Sequence, residues 1–351
     1  MRCIRSFSSL LLVVLVLLSS GCAMIADIPY YWQSARGQFA MLAAARPIDE
    51  WLASDDTDPP LRQRLQTARD IRRFAATELG LPDNPSYTRY ADLGRPFVVW
   101  NVFAAPALSL TLKTWCFPVA GCVAYRGYFD RESAEALAAR LREEGWDTQV
   151  AGVPAYSTLG WFDDPLLNTF IHYPPTELAR LIFHELAHQA VYLPGDSTFN
   201  ESLATAVEEA GVERWLQIQT DPQMGVRYAE ASRRRQQFLA LLQRARESLE
   251  AAYQASGTDA ERRLAKLAAF ERLRADYRDL RAQWGGFAGY DRWFEQPLGN
   301  AHLASVATYT RWVPGFRHLL AEQGGNLPRF FREARRLAAL PPAERARLLD
   351  R

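Results

Sequence analysis

Apolar positions along the chain recur with two periods, and each switch between them marks a change of element. Behind Asp58-Pro59-Pro60, Leu61, Leu65, Ile71 and Phe74 fall at helical spacing, and Tyr30-Tyr31-Trp32 leads into Gln38-Phe39-Ala40-Met41-Leu42-Ala43. Helices are therefore predicted over 30–53 and 60–79, packed as a pair with their aromatics in the core. From 87 to 158 the period shortens. Residues 97–103, 108–112, 123–129 and 148–153 read as strands, and 131–146, with Ala134, Leu137 and Leu141 in register, as a crossover helix. The helical period then returns in Leu178, Leu181, Ile182 and Leu186, started by Pro174-Pro175-Thr176-Glu177 and stopped by Leu193-Pro194-Gly195-Asp196. A second such segment, with Leu203, Ala204, Val207 and Ala210, ends at Gly211. Two long charged stretches follow, 217–256 and 259–284, each with one apolar stripe and joined by Gly257-Thr258-Asp259, as in an antiparallel helical hairpin. A last helix is predicted over 327–339. The fold class is α+β: mostly helical, a small antiparallel sheet against the 178–190 helix, and the hairpin.

The first residues pattern differently. Arg2 and Arg5 precede an unbroken apolar run from Leu10 to Leu18, then Ser19-Ser20-Gly21-Cys22. This reads as a signal peptide over 1–21, too short in its apolar part to span a bilayer. The Gly-Cys ending resembles a lipobox, with Ser19 where that pattern has Leu; it implies lipid on Cys22, an uncleaved or ordinarily cleaved signal being the alternative. Ala23 in place of an acidic residue resembles signals for the outer membrane of a Gram-negative cell. Loss of Arg2 and Arg5 turns 41 basic against 40 acidic residues into one net negative charge. That balance gives no reason to invoke nucleic acid, and attachment to a membrane would rest on acyl chains. Of four cysteines, Cys3 leaves with the leader and Cys22 is spoken for. Cys116 and Cys122 remain, and an oxidising periplasm favours a disulfide between them over two inert thiols.

The chain holds five histidines, and two stand in His184-Glu185-Leu186-Ala187-His188 on an apolar helical run. Residues four apart share a helix face, so both imidazoles can reach one Zn²⁺ while Glu185, one step round, can reach a water beside the ion. A catalytic zinc needs a third protein ligand. Glu201 is placed to return after a turn, but Thr198-x-x-Glu201 is also a capping box, and spacing leaves the two readings open.

His-Glu-x-x-His followed by Asn200-Glu201-x-x-Ala204 is the gluzincin pattern. Together with the stretch from Tyr156 to Pro165, Trp115-Cys116 through Cys122, Tyr125-Arg126-Gly127-Tyr128-Phe129 and Asn300-Ala301-His302, it resembles the predicted bacterial zinc aminopeptidase lipoproteins over nearly all of the mature chain. The resemblance implies one Zn²⁺ on His184, His188 and Glu201, with Glu185 as general base in peptide hydrolysis. It implies a substrate-pairing edge at 155–158, with Tyr156 in contact with substrate. Tyr309 resembles the phenolic oxyanion donor of gluzincins, with His302 and Arg311 as other candidates. Glu208, nearly on the face of Glu201, is either an anchor for a substrate ammonium or a partner for a histidine. The regions are then 1–21 leader, 22–86 helical, 87–215 catalytic core, 216–284 hairpin and 285–351 closing the cleft. Peptides or proteins are the expected substrates, cleaved on the periplasmic side of the envelope. An envelope endopeptidase and a non-catalytic, zinc-stapled scaffold are the alternatives.

Overall fold

A computed structural model describes residues 28–117 and 121–350, apart from the side chains of 307–310. The leader and Cys22 lie outside the described residues. Helix α1 (28–44) stops short of Pro47, whose ring removes the N–H that a continuing helix would use. The helix predicted over 30–53 is therefore two, with β1 (Arg46–Pro47) between α1 and α2 (Ile48–Ala53). Helix α3 (Pro59–Thr77) carries Pro at its first positions, where the missing N–H costs nothing. It packs on α2, whereas α1 lies along the sheet.

Next come β2 (Arg89–Ala91), β3 (Val99–Pro106), β4 (Trp115–Phe117), β5 (Gly121–Val123), β6 (Arg126–Tyr128), α4 (Arg131–Glu143), β7 (Trp146–Val153) and β8 (Leu166–Leu167). The main sheet has the order β6-β3-β7, antiparallel throughout, with Trp100 opposite Tyr128 and Val99 opposite Val153. Alternation along β3 divides its side chains: Trp100, Val102 and Ala104 meet Ala134, Leu137 and Leu141 of α4, while Phe103 and Ala105 face the other way. Strands β4 and β5 form a hairpin in which Cys116 and Cys122 are directly opposed and disulfide-bonded. A separate small sheet pairs β2 antiparallel with β1 and parallel with β8, so pairing is not wholly antiparallel.

Two predicted strands are corrected. Residues 108–112 form no strand, because nearby carbonyls of Pro106, Ala107 and Ser109 all accept from the Asn300 side-chain amide (2.9, 3.0 and 3.0 Å) and Leu110 is drawn into the core of the helical hairpin. The 123–129 strand is interrupted between β5 and β6, at Ala124-Tyr125. The expected edge at 155–158 lies beyond the end of β7, in a loop where the Thr158 N–H and hydroxyl donate to Asp164 rather than to a strand.

Helices α5 (Pro175–Ala190) and α6 (Ser197–Gln217) cross at the centre of the main core, which gathers α2, α3, the small sheet and the last helices around them. Gly211 does not end α6. It sits mid-helix because a Cβ there would lie 2.7 Å from the buried Phe183 ring and 2.9 Å from Leu79, so glycine is what lets the two helices approach. Helices α7 (Pro222–Gln254) and α8 (Asp259–Gln283) pack along one another through Phe238, Leu241, Leu249, Phe270 and Leu273, with Thr258 and Glu261 closing a capping box at the turn. The chain ends in α9 (Asp291–Phe294), α10 (Asn300–Thr310), α11 (Val313–Glu322), α12 (Leu327–Ala338) and α13 (Pro342–Leu349). Asn300 ties these parts together: its N–H donates to Asp147, which also holds Lys266 of α8, and its side-chain carbonyl oxygen accepts from Tyr253 of α7 at 2.7 Å.

Candidate metal centre

Helix α5 is built for burial on two sides. Leu178, Ala179, Ile182, Phe183, Leu186 and Ala187 are wholly enclosed, and the stripe between them carries Arg180, His184 and His188 one turn apart. After the turn at Gly195 (φ 83°), Asp196 caps α6 by accepting from the Phe199 N–H at 2.9 Å. The capping box open to Thr198 and Glu201 is therefore not used. Glu201 lies a turn inside the helix, free to face α5.

It does face it. His184 Nε2 stands 3.2 Å from His188 Nε2 and 3.2 Å from Glu201 Oε2, and His188 Nε2 is 3.7 Å from that oxygen. The three ligand atoms lie within 4.8 Å of one another, and the group could hold a metal ion. The donor chemistry fits one. His184 Nδ1 is 2.8 Å from Glu208 Oε2. A proton on Nδ1, donated to that carboxylate, leaves the Nε2 lone pair aimed at a second imidazole and a carboxylate. Three electron-rich atoms converging where little water reaches are matched by a cation.

Without an ion, a proton on His184 takes the place of the positive charge. Burial alone would lower the His184 pKa, yet hydrogen bonds to Glu201 and Glu208 raise it well above the usual range. Burial would likewise raise Glu201, but His188 and His184 hold it down to about 2. Glu185, adjacent on α5, is raised, first by burial and further by the charges of Glu201 and Glu208, against the pull of both imidazoles.

Behind the triad runs a chain of alternating charge. Glu208, buried on α6, gives Oε2 to His184 and Oε1 to Arg180 Nη1 (2.6 Å); Arg180 Nε donates to Glu177 (3.0 Å), and Glu177 accepts from Arg235 of α7 (2.9 Å). Of the two roles left open for Glu208, partner to a histidine is the one its contacts match: its oxygens meet His184 and Arg180, and it orients an imidazole. Glu208→Ala is expected to weaken metal affinity about 10–100-fold, read by competition with a chelating dye, because His184 loses the acceptor that fixes its ring.

The other expected residues are dispersed. Tyr156 lies in the loop after β7, its ring edge-on to Phe129 at 5.7 Å and its hydroxyl kept protonated by burial. His302 is enclosed beside Trp293, with Nδ1 accepting from the Gly299 N–H, and burial lowers its pKa to about 4. Arg311 stacks on Trp312 and pairs with Asp350. The Tyr309 side chain is outside the described residues. Two other phenols, Tyr87 and Tyr125, lie within electrostatic reach of the carboxylates. Both phenols are raised by burial, then Tyr87 by Glu185 and Tyr125 by Glu201. Tyr87 has a left-handed backbone (φ 63°) that no local pattern announces. Arg180, in contrast, stands four residues before His184, a spacing that by itself places it on the ligand face.

Fold and site together define an α+β protein with a helix-borne group able to hold a metal ion. The model of the family described as "Putative aminopeptidase" matches residues 29–349, and the chain belongs to that family. No curated protein and no solved structure matched the chain.

Proposed function

We propose that this protein is a zinc-dependent peptidase that acts as an aminopeptidase. One observation carries the reading: His184, His188 and Glu201 converge on a single point, with Glu185 beside it on the same helix. Two imidazoles and one carboxylate favour zinc among divalent ions. The ion, when bound, supplies polarisation of the scissile carbonyl and a water acidified enough to attack at neutral pH. Glu185 accepts the proton of that water and delivers it to the departing amine; its burial raises its basicity toward that task. Glu208 holds the His184 ring in register through Nδ1. Tyr87 and Tyr125, kept protonated and within electrostatic reach of Glu185 and Glu201, are the phenolic donors of this reading. We place the chain on the periplasmic face of the outer membrane, anchored by lipid on Cys22. Among the described residues no helix is long and apolar enough to cross a membrane.

A second reading, an endopeptidase, is favoured by the engagement of Glu208 with Arg180, which leaves that carboxylate unavailable to a free ammonium. Metal analysis combined with cleavage of one peptide in free and N-blocked forms separates the two. An aminopeptidase binds about one zinc and cuts only the free form. Equal cleavage of both makes it an endopeptidase, and zinc without cleavage of either overturns the enzymatic reading.

A further inference from the structure

Helix α1 buries a mixed face and leaves an apolar one outside. On its inward side Met41 is almost wholly enclosed, Gln33 accepts from the Phe129 N–H at 3.0 Å, Ser34 donates to the Tyr30 carbonyl at 2.9 Å, and Gln38 is nearly enclosed as well. Gly37 completes that face, where a Cβ would lie 2.1 Å from the Phe129 ring. Four large apolar side chains point outward. Ile28 is 59% exposed, Tyr31 45%, Trp32 70% and Phe39 63%, and Ala35, Arg36, Ala40 and Ala43 fill the surface around them. Ile28, Trp32, Ala35 and Phe39 are three or four residues apart and make one stripe. From 28 to 48 the only charged residues are Arg36 and Arg46; there is no acidic one.

We propose that this outward face rests in the interfacial layer of a lipid bilayer, making α1 a membrane contact in its own right. A contiguous exposed apolar patch marks an interaction surface. Tyr and Trp with a basic residue and no acid are the composition of a helix lying at headgroup depth, rings among the glycerol and upper acyl carbons and guanidinium on phosphate. The position of the helix supports lipid over protein. Ile28 follows Cys22 by six residues. Fully extended, such a tether reaches at most about 20 Å. A chain anchored at Cys22 therefore cannot carry α1 away from the membrane, and the proposal rests on the anchor reading to that extent. The contact would also orient the molecule. Tyr30 stacks on Phe117 and meets Tyr128 edge-on, Arg126 lies over its ring at 3.9 Å, and the neighbouring Phe129 meets Tyr156 in the loop after β7. The sheet, and the fold packed on it, is thereby held at a fixed height above the lipid.

The test joins the chain from Cys22 onward through that thiol to a maleimide lipid, the remaining cysteines being disulfide-bonded. The vesicles are phosphatidylethanolamine and phosphatidylglycerol with brominated acyl chains. Bromine is expected to quench the wild-type emission by about a tenth more than that of Trp32→Phe, the share of one tryptophan in ten. A Trp32→Glu, Phe39→Glu variant should lose the same quenching while unfolding at an unchanged temperature, since both side chains are exposed. Equal quenching in wild type and Trp32→Phe overturns the proposal. So does a lipid-free dimer, seen by sedimentation, that the double variant dissociates. The mass of the N-terminal peptide from native-host membranes tests the anchor separately. An unmodified Cys22 would sink the anchor reading and leave the quenching result to decide the face.

Discussion

Glu185→Gln is expected to bind one zinc as tightly as the wild type and to lose peptidase activity by about 10²–10⁴-fold, the usual worth of a positioned general base. The amide is nearly isosteric and Glu185 is not one of the three converging ligands, so the coordination set stays whole. What disappears is the ability to take a proton. In the wild type that ability is enhanced: burial and the charges of Glu201 and Glu208 raise the Glu185 carboxyl above its usual range. Metal content and turnover must be measured on the same preparation. Normal turnover by the Gln variant would remove Glu185 from the chemistry, and loss of metal would make it structural.

Glu201→Ala is expected to abolish both metal retention and activity, with affinity falling beyond the roughly 100-fold upper end for an orienting partner such as Glu208. Glu201 is the one carboxylate of the converging group, and the imidazoles hold its carboxyl down to about 2, so it is ionised throughout the working range. Its removal leaves two imidazole nitrogens 3.2 Å apart with no carboxylate to balance an ion's charge. Thr198→Ala is the control. If Glu201 served only a capping box, Thr198→Ala would loosen α6 as Glu201→Ala does. With Asp196 as the cap, it should leave metal affinity unchanged.

How far the chain can be read in advance depends on whether the deciding partner is local. The His184 and His188 face needs only the helical period, and so does the start of α5 at Pro175. Glu201 is ambiguous in the sequence because two acceptors, Asp196 and Thr198, could each begin α6; the competition is settled by side-chain geometry that spacing does not carry. Gly211 resembles a helix stop and proves to be a site of close approach, visible only once Phe183 and Leu79 pack against it. The alternation of Leu108, Leu110 and Leu112 imitates a strand, but the nearby carbonyls belong to Asn300, 191 residues on from Ser109. The link from Arg235 to Glu177 spans 58 residues and follows from how α7 docks, which no periodicity encodes. The aromatics of α1 read as core because large apolar side chains usually are, yet most of them face outward.

The charge chain from Arg235 to His184 has a thermodynamic corollary. Whatever steadies one end steadies the other by the same free energy, since coupling between two equilibria is reciprocal. An ion drawing His184 into place would therefore also clamp α7 through Glu208, Arg180 and Glu177, and a chelator would slacken a helix whose far end lies many turns from the imidazoles. Amide exchange along α7, with and without chelator, would register zinc occupancy at a distance.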